Sequence, residues 1–373
     1  MKLTCIACCF LLLFTSSGCA NPNLEKPVIE DLGMIGIMGF DYVDEENVKI
    51  SVSLPQPSRD AEEQVQQFST VVKMPHQAIM DVSTLTEKTL TPAQLRVVLF
   101  SEEYARTEGL WKILENLYRD PHVGTNIYVA VVKGTVEDIM KGEYKDKPEI
   151  NNYLIELLTP RTITAFSPFT TIHDFIYRNT DEVSDPSTPY IERIEENSLK
   201  ITKVALFKND KMVDTIEPEE AKLIEAMKKQ KKLPDFSIML PAPEESKHDE
   251  EMLILRFVNT RFHAKVNGDL EKPKLFIYVY VRGSIVDYEG ETDLANRENR
   301  MNIEEKLEKQ LEDKVIMTVR KFQELGIDPV GFGDYFRIKN AREWSKEKWM
   351  EAFQRADITT HVETRIISTG MIR

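Results

Sequence analysis

"MLILRFVNTRFHAKVNGDLEKPKLFIYVYVRGSIVDY", residues 252–288, holds two long strand-like runs, Met252 to Val266 and Lys274 to Tyr288, on either side of Asn267-Gly268-Asp269. Asn-Gly is a strong hairpin signal, because tight turns need the left-handed backbone that both residues accept. Downstream the apolar period changes. From about Asn299 to Leu325, the residues Ile303, Leu307, Leu311, Val315, Val319 and Phe322 form one apolar stripe along the longest helix. The closing run "DITTHVETRIISTG", residues 357–370, alternates like a half-buried strand. Two paired strands, a long helix and a last strand predict an antiparallel sheet with the helix across one face.

Upstream, "LKITKVALFKNDKMVDTIEPEEAKLIEAMKKQKK" (199–232) reads as two strands about the turn Asn209-Asp210, followed by a helix. Glu219 and Glu220 in its first turn and lysines in its last complement the helix dipole. The basic run Lys228 to Lys232 therefore reads as a helix end, with a binding patch as the alternative. Further upstream, "PVIEDLGMIGIMGFDYVDEENVKISVSLP" (27–55) predicts strands Val28 to Phe40 and Val48 to Leu54 around an acidic turn. Gly33, Gly36 and Gly39 lack the Gly-x-Gly-x-x-Gly spacing of a nucleotide loop and read as strand glycines. A polar loop is expected over Arg59 to Gln67, then a helix over about Pro75 to Glu87. The strand "AQLRVVLFS", helices near Glu102 to Thr107 and Leu110 to Tyr118, the strand "NIYVAVVKG" and a helix from Val136 to Met140 follow. This alternation predicts an α+β (mixed α/β) chain of several domains, with antiparallel or mixed sheets and packed helices. The polar loop "RNTDEVSDPSTPY" (178–190) marks an expected boundary. The predicted organisation is 27–190 as an N-terminal α/β domain, 191–235 as a small middle domain, and 236–373 as a C-terminal α+β domain.

The first residues are of another kind. The four cysteines are Cys5, Cys8, Cys9 and Cys19, and the first three lie in an apolar run from Leu3 to Phe14. That run is shorter than the ~20 residues a membrane-spanning helix needs, and it suits the h-region of a secretory signal with Lys2 as its charge. In "LLLFTSSGCANPN" (11–23), Ser16-Ser17-Gly18-Cys19 resembles the lipobox of bacterial lipoproteins, although Ser16 stands where leucine is usual. The expectation is a signal peptide over 1–18 and a lipid-anchored tether over 19–26. Cys19 would then carry an S-diacylglyceryl group and an N-acyl chain of the palmitate type. An ordinary signal cleaved elsewhere is the alternative.

With Asp and Glu at 62 against Lys and Arg at 48, the chain has a formal charge of −14. An acidic body gains no attraction from nucleic acid or anionic lipid, so no nucleic-acid partner is expected and membrane attachment rests on the acyl chains of Cys19. The six histidines, His76, His122, His173, His248, His263 and His361, contain no i, i+4 pair, so no zinc signature is present and no metal is expected. No Gly-x-Ser-x-Gly elbow, phosphate loop or calcium loop occurs. The pattern predicts a noncatalytic protein without a cofactor.

Three stretches carry a resemblance. "GIDPVGFGDYFRIKNAREWSKEKWMEAFQRADITTHVETRIISTG" (326–370), with Asp328, Gly331, Gly333, Trp344, Trp349, Phe353 and Gly370, resembles the closing pattern of the Ger(x)C family. These are the C-subunit lipoproteins of germinant receptors in spore-forming bacteria. "VALFKNDKMVDTI" (204–216) is similar to a second landmark, and "LRVVLFSEEYARTEGLWKILENLYRDP" (95–121), ending in Arg119-Asp120, to a third. Lys203 and Asp214 stand where the family often has glycine, and "ANPN" follows the cysteine in place of the usual tryptophan and aspartate. The resemblance implies a three-part α/β assembly and a lipid-anchored subunit on the outer face of the cell or spore inner membrane. It further implies membrane-embedded A-type and B-type partner subunits and a response to small nutrients that starts germination. A second functional reading is an exported solute-binding lipoprotein feeding a transporter, which requires an interdomain cleft. At the closing landmark, Trp349 and Phe353 lie four residues apart on one helical face, so burial against the sheet is expected, with an exposed partner surface as the alternative. Gly331 and Gly333 are expected to permit a tight turn. Arg119 and Asp120 are expected to fix a helix end.

Overall fold

The computed structural model describes residue 28 and residues 31–56, 65–160, 170–195, 198–228, 231–242, 249–342 and 344–369. Cys5, Cys8, Cys9, Cys19, the signal peptide and the tether lie outside the described residues, as does Gly370.

The first half is built on β1 (Leu32–Met34), β2 (Ile37–Tyr42), β3 (Val48–Pro55), β4 (Val65–Val72), α1 (Pro75–Ser83), β5 (Thr89–Thr91), β6 (Val97–Ser101), α2 (Glu102–Thr107), α3 (Trp111–Arg119) and β7 (Tyr128–Val132). It continues through α4 (Val136–Lys141), α5 (Ile150–Leu158), α6 (Ile172–Thr180), β8 (Ser187–Glu195), β9 (Ser198–Lys208) and β10 (Lys211–Ile216). Among the described residues, eight strands form one mixed sheet in the order β10-β9-β8-β7-β6-β2-β3-β4. The centre of it, β2-β6-β7-β8, is parallel, with the helices as crossovers.

The run "VVLFS" explains that centre. Val98 and Phe100 enter one apolar cluster while Val97 and Leu99 enter another on the opposite face. β6 is buried throughout, as a strand covered on both faces must be, and its unbroken apolar run says so. The strand predicted over Val28 to Phe40 is divided instead. β1 pairs in parallel with β5 as a separate two-stranded ribbon, and the large sheet starts at Ile37. The described end of the expected polar loop, residues 65–67, is strand, because β4 is an edge that pairs with β3 only and tolerates Gln66 and Gln67.

The second half comprises α7 (Pro218–Met227), β11 (Lys232–Leu233), β12 (Phe236–Pro241), β13 (Glu250–Asn267), β14 (Lys274–Tyr288), α8 (Arg297–Leu325), α9 (Gly333–Lys339), α10 (Lys346–Gln354) and β15 (Asp357–Ile366). β13 and β14 form the antiparallel pair that the opening stretch predicts, and Gly268 adopts φ 78°. The connection is longer than a two-residue turn because the Asp269 carboxylate accepts the N–H groups of Glu271 and Lys272, each at 3.0 Å, and shapes a wider loop. The apolar stripe of α8, from Ile303 to Phe322, is buried in the cluster that includes the inner faces of β13 and β14.

One expectation fails here. The last strand, β15, runs parallel to β14, so the sheet is mixed and not antiparallel. The reason is the length of α8. A 29-residue helix returns the chain across the sheet, so β15 enters from the same end as β14 and completes a strand-helix-strand crossover.

The stretch 191–235 is shared between these bodies. β9 and β10 hydrogen-bond into the eight-stranded sheet, while Leu223, Ile224 and Met227 of α7 join the apolar cluster of the second sheet, which β11 to β15 form.

Candidate functional site

The closing landmark is organised by one carboxylate. Asp328 lies just beyond α8 and is fully buried. Its Oδ1 accepts the Gly331 N–H at 2.8 Å, and its Oδ2 accepts the Gly333 N–H at 2.9 Å and the Trp349 Nε1–H at 3.0 Å. Gly331 adopts φ 87°, a conformation that costs other residues. A Cβ on Gly333 would come within 2.7 Å of Trp349 Nε1 and 2.8 Å of Trp344. The expected tight turn is therefore also a close approach of backbone to indole. Trp349 and Phe353 are completely buried and stack at 5.2 Å, with Phe336 at 4.8 Å from Trp349 on the other contact. The core reading of these aromatics holds.

Burial pushes the Asp328 carboxyl up to about 6. The N–H donors of Gly333, Phe332, Gly331 and Trp349 pull it the other way without cancelling the loss of water.

Asp328 also faces the other half of the chain. Its backbone N–H donates to Asp185 Oδ2 at 2.8 Å, and its carbonyl accepts the Asp185 N–H at 3.1 Å. Asp185 lies between α6 and β8, 1 % exposed, and Lys346 at the start of α10 reaches its Oδ1 at 3.0 Å. The same Oδ1 accepts the N–H of Asn209 at 3.3 Å. Asn209 begins the predicted turn between β9 and β10 and adopts φ 55°, as asparagine does readily.

That turn brings in the third landmark. The Asp210 carbonyl accepts the Leu110 N–H at 3.0 Å, and its Oδ2 accepts the Trp111 N–H at 3.3 Å, which satisfies two donors at the start of α3. Gly109, at φ 78°, lets the Asp210 carboxylate approach to a distance where a Cβ would sit 2.4 Å away. Lys211 Nζ donates to the Thr107 carbonyl at 2.6 Å and Arg106 to the Val213 carbonyl at 2.9 Å. Two of the three stretches that carry the family resemblance thus meet at Asp185, through Asn209 on one side and Asp328 and Lys346 on the other, and the third docks on the adjoining turn at Asp210. Arg119 and Asp120 stay outside this joint. Arg119 pairs with Glu115 at 2.9 Å and the Asp120 carboxylate accepts the His122 N–H at 2.9 Å, both next to their own helix.

The joint is made of hydrogen bonds in a water-poor space, and its carboxylates already hold donors from both halves. Its chemistry is positional, fixing one sheet against the other. Sequence reading found Asp328 and the tryptophans but missed Asp185, which sits in a stretch that reads only as a polar loop. Lys346 was equally hidden. Lys228, first of the basic run, follows the last residue of α7 and pairs with Glu225 at 3.2 Å, which agrees with a helix end. Among the described residues, no group of three or more His, Cys, Asp or Glu is placed to hold a metal ion, and no helix is long and apolar enough to cross a membrane. Cys19, the predicted lipidation site, lies outside the described residues.

Comparison with known proteins covers both halves. Residues 25–193 match the family described as spore germination protein N-terminal domain, and residues 202–370 match spore germination B3/GerAC like, C-terminal. Spore germination protein GerQC of Bacillus cereus is 23 % identical over 354 residues, 95 % of each chain. Spore germination protein KC of Bacillus subtilis (strain 168) is 22 % identical, covering 93 % of this chain and 92 % of its own. The crystal structure of the GerBC protein superposes with a TM-score of 0.55 at 17 % identity, covering 88 % of this chain and 96 % of that one. That likeness agrees with the α+β class. With matches to both domain families on either side of the Asp185 joint, the chain belongs to the Ger(x)C family of spore germination proteins.

Proposed function

We propose that the chain is the noncatalytic C subunit of a nutrient germinant receptor. It is held on the outer face of the spore inner membrane by acylated Cys19 and works beside A-type and B-type membrane-embedded subunits. The observation that carries this reading is the match to both spore germination domain families, together with relatives named as spore germination proteins over nearly the whole chain. The joint around Asp185 supports it physically. A subunit that acts through contacts needs surfaces in fixed relation, and Asp185, Asn209, Lys346 and Asp328 tie the two sheets together. Two or more acyl chains on the first mature residue give durable anchoring where one does not.

Two measurements test the reading. Cys19→Ala should leave a folded protein that leaves the membrane fraction, with slower nutrient germination; normal membrane retention would overturn the anchoring. Affinity purification of the chain from detergent-solubilised spore membranes should bring down two polytopic membrane proteins. Recovery of the chain alone would overturn the receptor assignment.

A further inference from the structure

Beside the joint, a cavity of about 470 Å³ opens between α6, the end of α7, β13 and the turn that leads from Asp328 into α9. That volume is in the range of small-molecule sites. Three cations line it, Arg178 from the first half of the chain and Lys228 and Arg337 from the second. Lys228 has a side chain only 11 % exposed. Burial pulls its ammonium below the ordinary lysine range; Glu225 acts against that, and the Arg178 guanidinium nearby acts with it. Arg178, on α6, makes no ion pair or hydrogen bond among the described residues.

The neighbouring acids are already engaged. Glu225 is on Lys228 at 3.2 Å. Asp174 accepts the Thr171 N–H at 3.1 Å and the Thr171 hydroxyl at 2.6 Å, closing the start of α6. Asp334 holds Arg337 at 2.8 Å. What remains is a guanidinium without a carboxylate facing a lysine poor in water, an arrangement that an anion between them would relieve. Part of the wall is apolar. Phe262 and Val330 line the cavity with Ile338, a large side chain left 80 % exposed.

We propose that this cavity binds a small organic carboxylate with a compact apolar body, its carboxylate between Arg178 and Lys228 and its carbon skeleton against Phe262, Val330 and Ile338. Arg178 comes from the first half, and Val330 lies in the turn that Asp328 shapes, so the ligand fastens the same two bodies that the joint holds. The inference goes beyond the receptor reading and does not rest on it.

Isothermal titration of the purified full chain in detergent tests it, with 3-methylbutanoate as probe and 3-methylbutanamide as its uncharged counterpart. The carboxylate should bind saturably below about 10 mM, and the amide at least about tenfold more weakly. Arg178→Gln and Lys228→Met should each weaken the carboxylate by about tenfold or more while leaving the amide unchanged. Lys228→Met keeps the buried stem; should its melting profile show misfolding, Arg178→Gln, on a helix surface, decides alone. No saturable binding, equal binding of acid and amide, or full affinity in Arg178→Gln would overturn the proposal.

Discussion

The carboxylate of Glu308 on α8 accepts the backbone N–H of Thr364 on β15 at 2.9 Å. Glu312 does the same for Val362 at 2.8 Å and Glu304 for Ile366 at 2.6 Å. Four helical residues rise about 6 Å and two strand residues about 6.7 Å, so glutamates at every fourth position keep step with alternate strand N–H groups. An exposed sheet edge invites pairing with another chain, and here a helix covers it with side chains. Alanine at residues 304, 308 and 312 together should cost roughly 2–3 kcal/mol, about 1 kcal/mol per lost bond, and promote self-association. Glutamine at the same positions keeps an acceptor and should stay near wild type. Urea melts and light scattering check both; an alanine triple variant of unchanged stability and mass would remove the ladder's role.

Trp349→Phe keeps an aromatic ring in the stack but deletes the donor to Asp328. The buried carboxylate then loses one of its N–H donors, at a cost of about 1.5–3 kcal/mol. Chemical denaturation measures this directly. A variant as stable as the parent would mean that the indole is held by packing alone.

Asp328 also gives a pH dependence with a definite sign. Its folded value, about 6, lies above the ordinary 3.8, so the native state keeps a proton that the unfolded chain has released. Stability from this group is therefore greatest below about 4 and declines as pH rises to about 6, levelling above that. Asp328→Asn does not titrate. The stability gap between wild type and Asp328→Asn should widen on going from pH 7 to pH 5, as read by urea midpoints; a gap that narrows or stays constant contradicts the assignment.

Lys346→Met leaves the Asp185 carboxylate buried without its cation. Breaking a buried pair in this way costs about 3–5 kcal/mol; Lys346 is 18 % exposed, which puts the expectation at the lower end. Because the pair spans both halves, limited proteolysis should cut faster near residues 181–187, while far-ultraviolet dichroism stays unchanged. Equal cleavage rates would show that the two sheets are held together elsewhere.

Gly333→Ala should destabilise by about 2–3 kcal/mol, since the added methyl meets an indole nitrogen wedged against the buried Asp328. Thermal melting checks it, with Gly124→Ala, whose Cβ would meet nothing within 4 Å, as the control.

Much of the second half was legible because its signals are local. Asn267-Gly268 announced the hairpin, and the stripe from Ile303 to Phe322 announced the helix that covers it. The run "VVLFS" was legible as a strand, although its burial on both faces depends on helices contributed from elsewhere. Where β15 would pair was not legible, since alternation shows that a strand has one buried face and says nothing of its direction. Asp185 had no local signature. A polar residue in a polar stretch becomes buried only when Asn209, Asp328 and Lys346 close around it.

By itself, then, the sequence determined the repeating elements, the acidic balance and the family pattern, because periodicity, turn chemistry and motif spacing act between near neighbours. The tertiary structure alone decided that three distant landmarks are joined through Asp185 and the Asn209-Asp210 turn, that Glu304, Glu308 and Glu312 guard an edge, and that Arg178 and Lys228 share a cavity. Each of those depends on burial and on partners distant in the chain, and a carboxylate or a cation acquires its meaning only from what surrounds it after folding.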